Sequence, residues 1–220
     1  MTGAGLSVNS GIPDFRSQGG LWTRFPPSEY GTRAAMRQNP AKVWGMLSAL
    51  YETIHAAQPN TGHAALAELE QARVLLGVVT QNVDGLHRKA GSHRILRMHG
   101  NAHILRCMDC GQRVDAPAEA RCEQCGAWRV PEIVFFGDPM PPGVMEEAAT
   151  MLKHAGGLLL IGTASEVWPA TELPVQAVAA GLPVVEFNLA TTGLGKRLEL
   201  PLVKGDASLT LPAFAKALLG

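Results

Sequence analysis

The stretch that decides the fold lies at the start of the chain, where residues 2–7 read Thr-Gly-Ala-Gly-Leu-Ser and residues 10–16 read Ser-Gly-Ile-Pro-Asp-Phe-Arg. Gly3 and Gly5 are spaced as at the start of a dinucleotide-binding turn, where glycines let backbone N–H groups approach a pyrophosphate. Val8 stands where such a turn has its third glycine. By itself the turn is therefore a weak signal, and its meaning depends on the rest of the chain.

Short apolar runs alternate with helical segments along most of the remaining sequence. The run from Val74 to Val79 predicts a strand buried on both faces, and similar runs begin at Ile95, Gly157 and Pro183. Apolar residues at helical spacing predict a helix from Ala41 to Ala57. Further helices are predicted at 63–71, 146–154 and 174–180. Strands that alternate with helices indicate an α/β fold built on a parallel sheet.

Composition narrows the class of protein. The 220 residues are 46% hydrophobic and 17% charged, which is typical of a globular protein. The 19 basic and 19 acidic side chains cancel, and nucleic-acid binders usually carry a basic excess. No apolar run reaches the roughly 18 residues of a membrane span, and the first residues do not resemble a signal peptide. We therefore expect a cytoplasmic protein that binds neither nucleic acid nor membrane.

All four cysteines lie in a polar segment, about 99–131, that interrupts the alternating pattern. Cys107 and Cys110 form one Cys-x2-Cys pair, and Cys122 and Cys125 form a second. Two such pairs complete a tetrahedral zinc shell, and a shell closed by four sulfurs is structural because it has no open position. Two disulfides or four free thiols are the alternatives, and a reducing cytosol disfavours the disulfides.

Several further motifs follow the first in a fixed order. They are Gly19-Gly20-Leu21-Trp22, Thr80-Gln81-Asn82-Val83-Asp84-Gly85-Leu86-His87, Met98-His99-Gly100-Asn101, Phe136-Gly137-Asp138, Gly162-Thr163-Ala164 and Val184-Val185-Glu186-Phe187-Asn188. Together with the two cysteine pairs, this series resembles the sirtuin (Sir2-type) family of NAD-dependent protein deacylases over essentially the whole chain.

The resemblance implies a Rossmann-like parallel-sheet domain that carries a smaller helical and zinc-ribbon module. The Rossmann-like parts would be residues 1–23, 72–98 and 138–220, the helical part 24–71 and the zinc ribbon 99–137. In the family an apolar strand leads into the first glycine turn, whereas here only Met1 precedes it. We therefore expect this sequence to lack the first strand, which would lie in the middle of the sheet, and to gain stability when extended upstream.

The resemblance also assigns roles to individual residues. The expected contacts to NAD are Gly3, Ala4, Gly5, Ile12, Asp14, Phe15, Arg16, Trp22, Gln81, Asn82, Val83, Asp84, Gly162, Thr163, Ala164, Asn188, Leu189 and Ala207. His99 would be the general base, assisted by Asn82 and Asp84, because an imidazole titrates near operating pH. The acyl-lysine substrate would lie as an added strand against Val134, Phe136, Gly137, Glu166 and Val167. Cys107, Cys110, Cys122 and Cys125 would hold the zinc.

Each assignment has a simpler alternative. Outside this motif context His99 would be a structural histidine, Asn82 a turn residue, and Asp14 with Arg16 a loop ion pair. His63, His87 and His103 match no chemistry and are expected to be structural or exposed. Phe15, Phe135 and Phe136 could be core or channel wall.

The implied reaction removes an acyl group from a lysine side chain and yields nicotinamide and O-acyl-ADP-ribose. Succinyl- and malonyl-preferring relatives carry a Tyr and an Arg where this chain has Leu47 and Leu50, which favours a neutral group such as acetyl. Ala164 and Ala190 also depart from the usual family residues, Ser and an acidic residue. An NAD-dependent ADP-ribosyltransferase and a catalytically weak NAD- and zinc-binding sensor are the alternative functions.

Overall fold

The computed structural model describes residues 1–15 and 18–220. In these residues the helices, in chain order, are α1 (Leu21–Arg24), α2 (Pro27–Tyr30), α3 (Arg33–Gln38), α4 (Pro40–Ala56), α5 (Thr61–Gln71), α6 (Leu86–Lys89), α7 (Val144–Lys153), α8 (Glu172–Ala179), α9 (Gly193–Arg197) and α10 (Ala207–Leu219). The strands are β1 (Val78–Thr80), β2 (Ile95–Arg97), β3 (Gly100–Cys107), β4 (Arg113–Asp115), β5 (Arg129–Ile133), β6 (Leu158–Ile161), β7 (Val184–Asn188) and β8 (Leu202–Lys204).

Five parallel strands form the sheet of the larger part of the molecule. β1 pairs with β2, and β7 pairs with both β6 and β8. Between β1 and β6 lies Thr2, which bridges Thr80 on one side and Ile161 on the other. Residues 1–3 thus occupy the central position that the sequence analysis expected for the first strand.

Backbone hydrogen bonds hold this short central segment on both sides. The Thr2 N–H donates to the Val79 carbonyl at 2.9 Å, and the Ile161 N–H donates to the Met1 carbonyl at 2.9 Å. Within the described ranges, β1 and β6 are joined into one sheet by the backbone hydrogen bonds of residues 1–3, and these two strands flank the site.

The predicted strand from Val74 to Val79 is wrong over residues 74–77, because β1 begins only at Val78. Val74 and Leu75 both donate their N–H groups to the Leu69 carbonyl, and Arg73 has a φ of 61°. These residues form the turn that ends α5, where a left-handed residue satisfies the last carbonyls of a helix. Val74 is accordingly 49% exposed. The apolar run thus combines a helix end with a strand, and its pattern does not separate the two.

Helices cover both faces of the sheet and give it a three-layer structure. On one face α5 and α10 pack together around Leu6, Leu66 and Phe187. On the other face α7 and α8 enclose Leu160 and Leu173. Burial of both faces explains the continuous apolar runs of the sheet strands.

The smaller part combines a three-stranded antiparallel sheet, in the order β4-β3-β5, with helices α1 to α4. α4 has the bounds predicted from its periodicity to within one residue. Its Trp44 and Leu47 pack with Leu105 of β3 and Val130 of β5 in one apolar cluster. The helical part and the cysteine-bearing ribbon therefore share a core. No helix in the described ranges is long and apolar enough to cross a membrane.

Thr2 gives a test of the central segment. Its Oγ1 donates to Thr80 Oγ1 at 2.8 Å and lies 2.9 Å from His87 Nε2, and all three side chains are buried. Thr2→Val removes both bonds and leaves the buried His87 Nε2 without a partner, so the free energy of unfolding should fall by about 1–3 kcal/mol.

Urea denaturation measures this loss, and Thr150→Val is the matched control. Thr150 makes its side-chain hydrogen bond to Glu146 O on the exposed face of α7. Its replacement should change the free energy of unfolding by less than about 0.5 kcal/mol. Equal losses in the two variants would contradict the central role of Thr2.

Candidate active site

One cavity of about 850 Å³ collects most of the predicted site residues. It lies where β1, β6 and β7 end, between the parallel sheet and the smaller part, which is where ligands bind to open α/β sheets. Its lining includes the following predicted residues: Gly3, Ala4, Gly5, Asp14, Phe15, Trp22, Gln81, Asn82, Val83, His99, Val134, Phe136, Gly137, Gly162, Thr163, Ala164, Glu166, Val167, Asn188, Leu189 and Ala207.

Two of the predicted NAD contacts in the described ranges are not in that lining. Ile12 and Asp84 are buried behind the wall of the cavity, with 8% and 4% exposure. Arg16 lies outside the described residues. Ile12 and Asp84 are therefore placed to act on the site through the neighbouring groups that line the cavity.

The glycine turn lies against the end of β6 without space for a side chain. The Gly3 and Gly5 N–H groups donate to Ile161 and Gly162 carbonyls at 2.9 and 2.8 Å. A Cβ on Gly5 would lie 2.8 Å from the Gly162 oxygen. Both glycine N–H groups are thus occupied, whereas the Ala4 N–H has no partner among the described residues. The glycines allow the close approach, and Ala4 carries the N–H that is available to a phosphate oxygen.

Asn82 is held beneath this turn by two hydrogen bonds. Its Nδ2 donates to the Gly3 carbonyl at 3.0 Å and to Ser7 Oγ at 3.2 Å. Ser7 in turn donates to Asp84 Oδ2 at 2.7 Å. The loop after β1 and the glycine turn therefore form one hydrogen-bonded unit, in which Asp84 orients Ser7 and Ser7 orients Asn82.

Two histidines lie behind this unit, and sequence reasoning left both without a role. The His63 and His87 ring centroids are 5.0 Å apart, and both residues are buried. His63 Nε2 lies 3.5 Å from Ser7 Oγ. Burial lowers the pKa of His63 to about 4 and that of His87 to about 3, so both are neutral at physiological pH. These histidines support Ser7 and Thr2 as neutral hydrogen-bonding groups.

His99 also lines the cavity. Its Nδ1 lies 3.1 Å from the Gln81 carbonyl oxygen. Because a carbonyl only accepts, Nδ1 carries the hydrogen and Nε2 is left as a base. Burial lowers the pKa of His99 from its usual value, against the smaller effect of the Gln81 hydrogen bond. The ring is therefore fixed in a tautomer that can accept a proton at neutral pH.

His103 also supports the loop that carries Asn82. Its Nε2 donates to the Asp84 carbonyl at 2.8 Å, and its ring lies against Gly85, whose φ is 73°. A Cβ on Gly85 would lie 2.8 Å from that nitrogen. No motif in the sequence indicates this contact, since the two residues belong to separate segments that the fold brings together.

The predicted substrate residues line two walls of the cavity. Val134, Phe136 and Gly137 form one wall, and Glu166 and Val167 form the other. The N–H groups of Gly137 and Val167 have no partner among the described residues, so each can bond to an added strand. Asp138, directly after the first wall, is held by Arg33 at 2.6 Å.

The four cysteines form a compact cluster in the ribbon. Their sulfur atoms all lie within 4.8 Å of one another, with Cys107 and Cys125 at 3.4 Å and Cys110 and Cys122 at 3.7 Å. A tetrahedron with Zn–S bonds of about 2.3 Å has edges of about 3.8 Å, so the donor set and its size fit one zinc ion. Gly111 and Gly126, which directly follow the two cysteine pairs, have φ values of 73° and 75°, a left-handed backbone conformation that favours glycine.

The family model described as Sir2 matches residues 3–169. This chain belongs to the Sir2 family. The NAD-dependent protein deacylase 2 of Pyrobaculum aerophilum is 40% identical over 216 residues, covering 96% of this chain and 86% of that protein. The NAD-dependent protein deacylase of Thermus thermophilus is 40% identical over 225 residues, covering 97% and 89%.

Solved Sir2 structures show the same fold. A Sir2 homologue in complex with NAD matches with a TM-score of 0.90 and 35% identity, covering 99% of this chain and 87% of the other. A Sir2 mutant with a deacetylated p53 peptide and acetyl-ADP-ribose matches with a TM-score of 0.88 and 29% identity, covering 99% and 90%. The expected Sir2 fold, a parallel sheet with helices and a cysteine cluster for zinc, is confirmed.

The close approach of Gly5 to Gly162 gives a direct test of the turn. Gly5→Ala places a Cβ against backbone atoms of Gly162 that cannot move aside without shifting the turn. We expect the affinity for ADP-ribose, measured by isothermal titration calorimetry, to fall at least about tenfold, which corresponds to 1.4 kcal/mol. Gly45→Ala on α4 is the control, because a Cβ there meets no atom within 4 Å. Unchanged affinity in Gly5→Ala would overturn the proposed turn geometry.

Proposed function

We propose that this chain removes acetyl or similar neutral acyl groups from lysine side chains of proteins, with NAD as co-substrate. The observation that carries the proposal is the meeting of the glycine turn, Asn82 and the unprotonated Nε2 of His99 in one cavity. Family members with named deacylase activity cover nearly the whole chain, which supports the same assignment.

Different residues of the cavity would perform different steps of this reaction. NAD supplies the ribose that receives the acyl group and nicotinamide as the leaving group. The Ala4 N–H and the glycine turn would bind the pyrophosphate, while Asn82, fixed by Gly3 and Ser7, would stabilise the charge that develops near the nicotinamide. His99 would take a proton from a ribose hydroxyl so that its oxygen can complete acyl transfer. The two walls with free N–H groups would align the peptide.

We expect His99→Ala to reduce steady-state deacetylation of an acetyl-lysine peptide by about 10²–10⁴-fold, as for loss of a general base. Chromatography of both products, nicotinamide and free peptide, measures the effect. His93→Ala is the control because His93 is exposed and is not part of the cavity lining. Nicotinamide release without an acyl peptide would favour ADP-ribosyl transfer, and full activity in His99→Ala would exclude the proposed base.

The acyl preference rests on α4. Leu47 and Leu50 line the cavity beside Met46, whereas Tyr51 is buried outside the lining. An acyl carboxylate would meet apolar side chains there and lose hydration without gaining a partner. The cavity wall therefore favours a neutral acyl group.

We expect kcat/KM for an acetyl peptide to exceed that for the matching succinyl peptide at least about tenfold. Leu47→Tyr with Leu50→Arg should move this ratio towards succinyl, because the guanidinium pairs with the carboxylate. Leu47→Tyr with Ala49→Arg is the control, since Ala49 is exposed on the other side of the helix. A preference of the unmodified chain for succinyl would contradict the account.

We also propose a cytoplasmic location and no role in nucleic-acid binding. The cysteines are arranged for a metal and not for disulfides, and the formal net charge is zero. Fractionation of cells that express the chain, and a gel-shift measurement at low salt, test the two statements.

A further inference from the structure

Arg129 of β5 is a buried cation without a carboxylate partner. Its exposure is 1%, as low as that of any charged side chain in the described ranges. Nη1 donates to the Glu119 carbonyl at 3.0 Å, Nη2 donates to Gln112 Oε1 at 3.3 Å, and Nε has no partner. Among the described residues no Asp or Glu lies within ion-pair distance of it. A guanidinium stays charged at every physiological pH, so this charge needs compensation.

The cysteine cluster is placed to provide that compensation. Gln112 Oε1, which accepts from Arg129, also lies 3.1 Å from Cys122 Sγ. Cys107 is the direct partner of Arg129 in the pairing of β3 with β5. Cysteines that bind zinc do so as thiolates, and four thiolates around one divalent ion carry a net charge of roughly −2. The buried cation and the anionic cluster are therefore separated by a single amide oxygen.

We propose that the Arg129 guanidinium is the buried counter-charge of the zinc–thiolate cluster and stabilises the metal-bound form of the ribbon. The inference concerns metal binding and holds whatever acyl group the active site accepts. It makes Arg129 and the metal-bound cluster mutually dependent, since the cation and the anionic zinc–thiolate cluster compensate each other's charge.

The same residue connects the cluster to the cavity. The Arg129 carbonyl accepts a hydrogen bond from Trp44 Nε1 at 2.7 Å, and Trp44 is buried in α4. Met46, Leu47 and Leu50, which line the cavity, follow on that helix. Loss of the metal should therefore disturb β5 first and the position of α4 next, and Trp44 fluorescence would report it.

The first test is the rate of zinc release to a chromogenic chelator under reducing conditions. Arg129→Met should bind zinc about 10–100-fold more weakly and release it correspondingly faster, as for other groups that support metal ligands. Arg113→Met is the matched control, because Arg113 lies in the same ribbon but its side chain is 60% exposed and pairs with Glu132. Its release rate should stay within about twofold of the unmodified chain.

The second test compares how much the melting temperature depends on zinc with and without the Arg129 cation. Removal of zinc should lower the melting temperature of the unmodified chain more than that of Arg129→Met, because only the former retains an uncompensated buried cation. Arg129→Lys should behave like the unmodified chain and Arg129→Gln like Arg129→Met. If Arg129→Met does not fold, this Lys and Gln pair decides the question by their zinc-release rates. Equal release rates in the Lys and Gln variants, or equal rates in Arg129→Met and the unmodified chain, would overturn the proposal.

Discussion

The Gly5 N–H donates to the Gly162 carbonyl at 2.8 Å, and a Cβ on either residue would collide with the backbone of the other. This backbone contact joins the start of the chain to the end of β6 and fixes the floor of the cavity. The Gly3 N–H is likewise occupied, by the Ile161 carbonyl, so the N–H of Ala4, a residue of the cavity lining, is left without a partner among the described residues. The remaining site residues are arranged relative to this contact, since Gly3 and Ser7 bind the Asn82 side chain.

Behind the cavity, buried polar side chains hydrogen-bond one another in two groups of three. Thr2, Thr80 and His87 form one group, and Ser7, Asp84 and His63 form another. Neutral histidines suit this position, because a charged ring there would have no solvent and would compete with the charge that develops in the reaction. In the ribbon, by contrast, a buried charge is balanced by an opposite charge, with Arg129 beside the cysteines. Stability and function thus rely on the same buried polar contacts.

Much of this arrangement was accessible from the sequence. Three features depend only on residues that are close together in the chain, and such features can be predicted from the sequence. They are the periodicity of α4, the apolar runs of β6 and β7, and the cysteine spacing. The order of the motifs then indicated the family, and the family resemblance predicted that residues from distant segments share one site. The strand predicted to begin at Val74 is wrong over its first residues because apolar residues occur equally at a helix end and in a strand.

The contacts that sequence reasoning missed join residues far apart in the chain. Ser7 contacts His63 and Asp84, and His103 holds the Asp84 carbonyl, yet each of these side chains has several common structural uses. The sequence gives no indication that Arg129 is buried, because an arginine in a strand is usually exposed. Its role follows only from its burial and from the absence of a carboxylate partner among the described residues.

The central claim, that the glycine turn presents the Ala4 N–H to the pyrophosphate, is tested most directly by NMR of the ¹⁵N-labelled protein during titration with ADP-ribose. The account predicts that the Ala4 amide signal shifts and saturates together with the binding heat, and that nicotinamide alone leaves it in place. An Ala4 signal that stays unmoved while ADP-ribose saturates the protein would contradict the account.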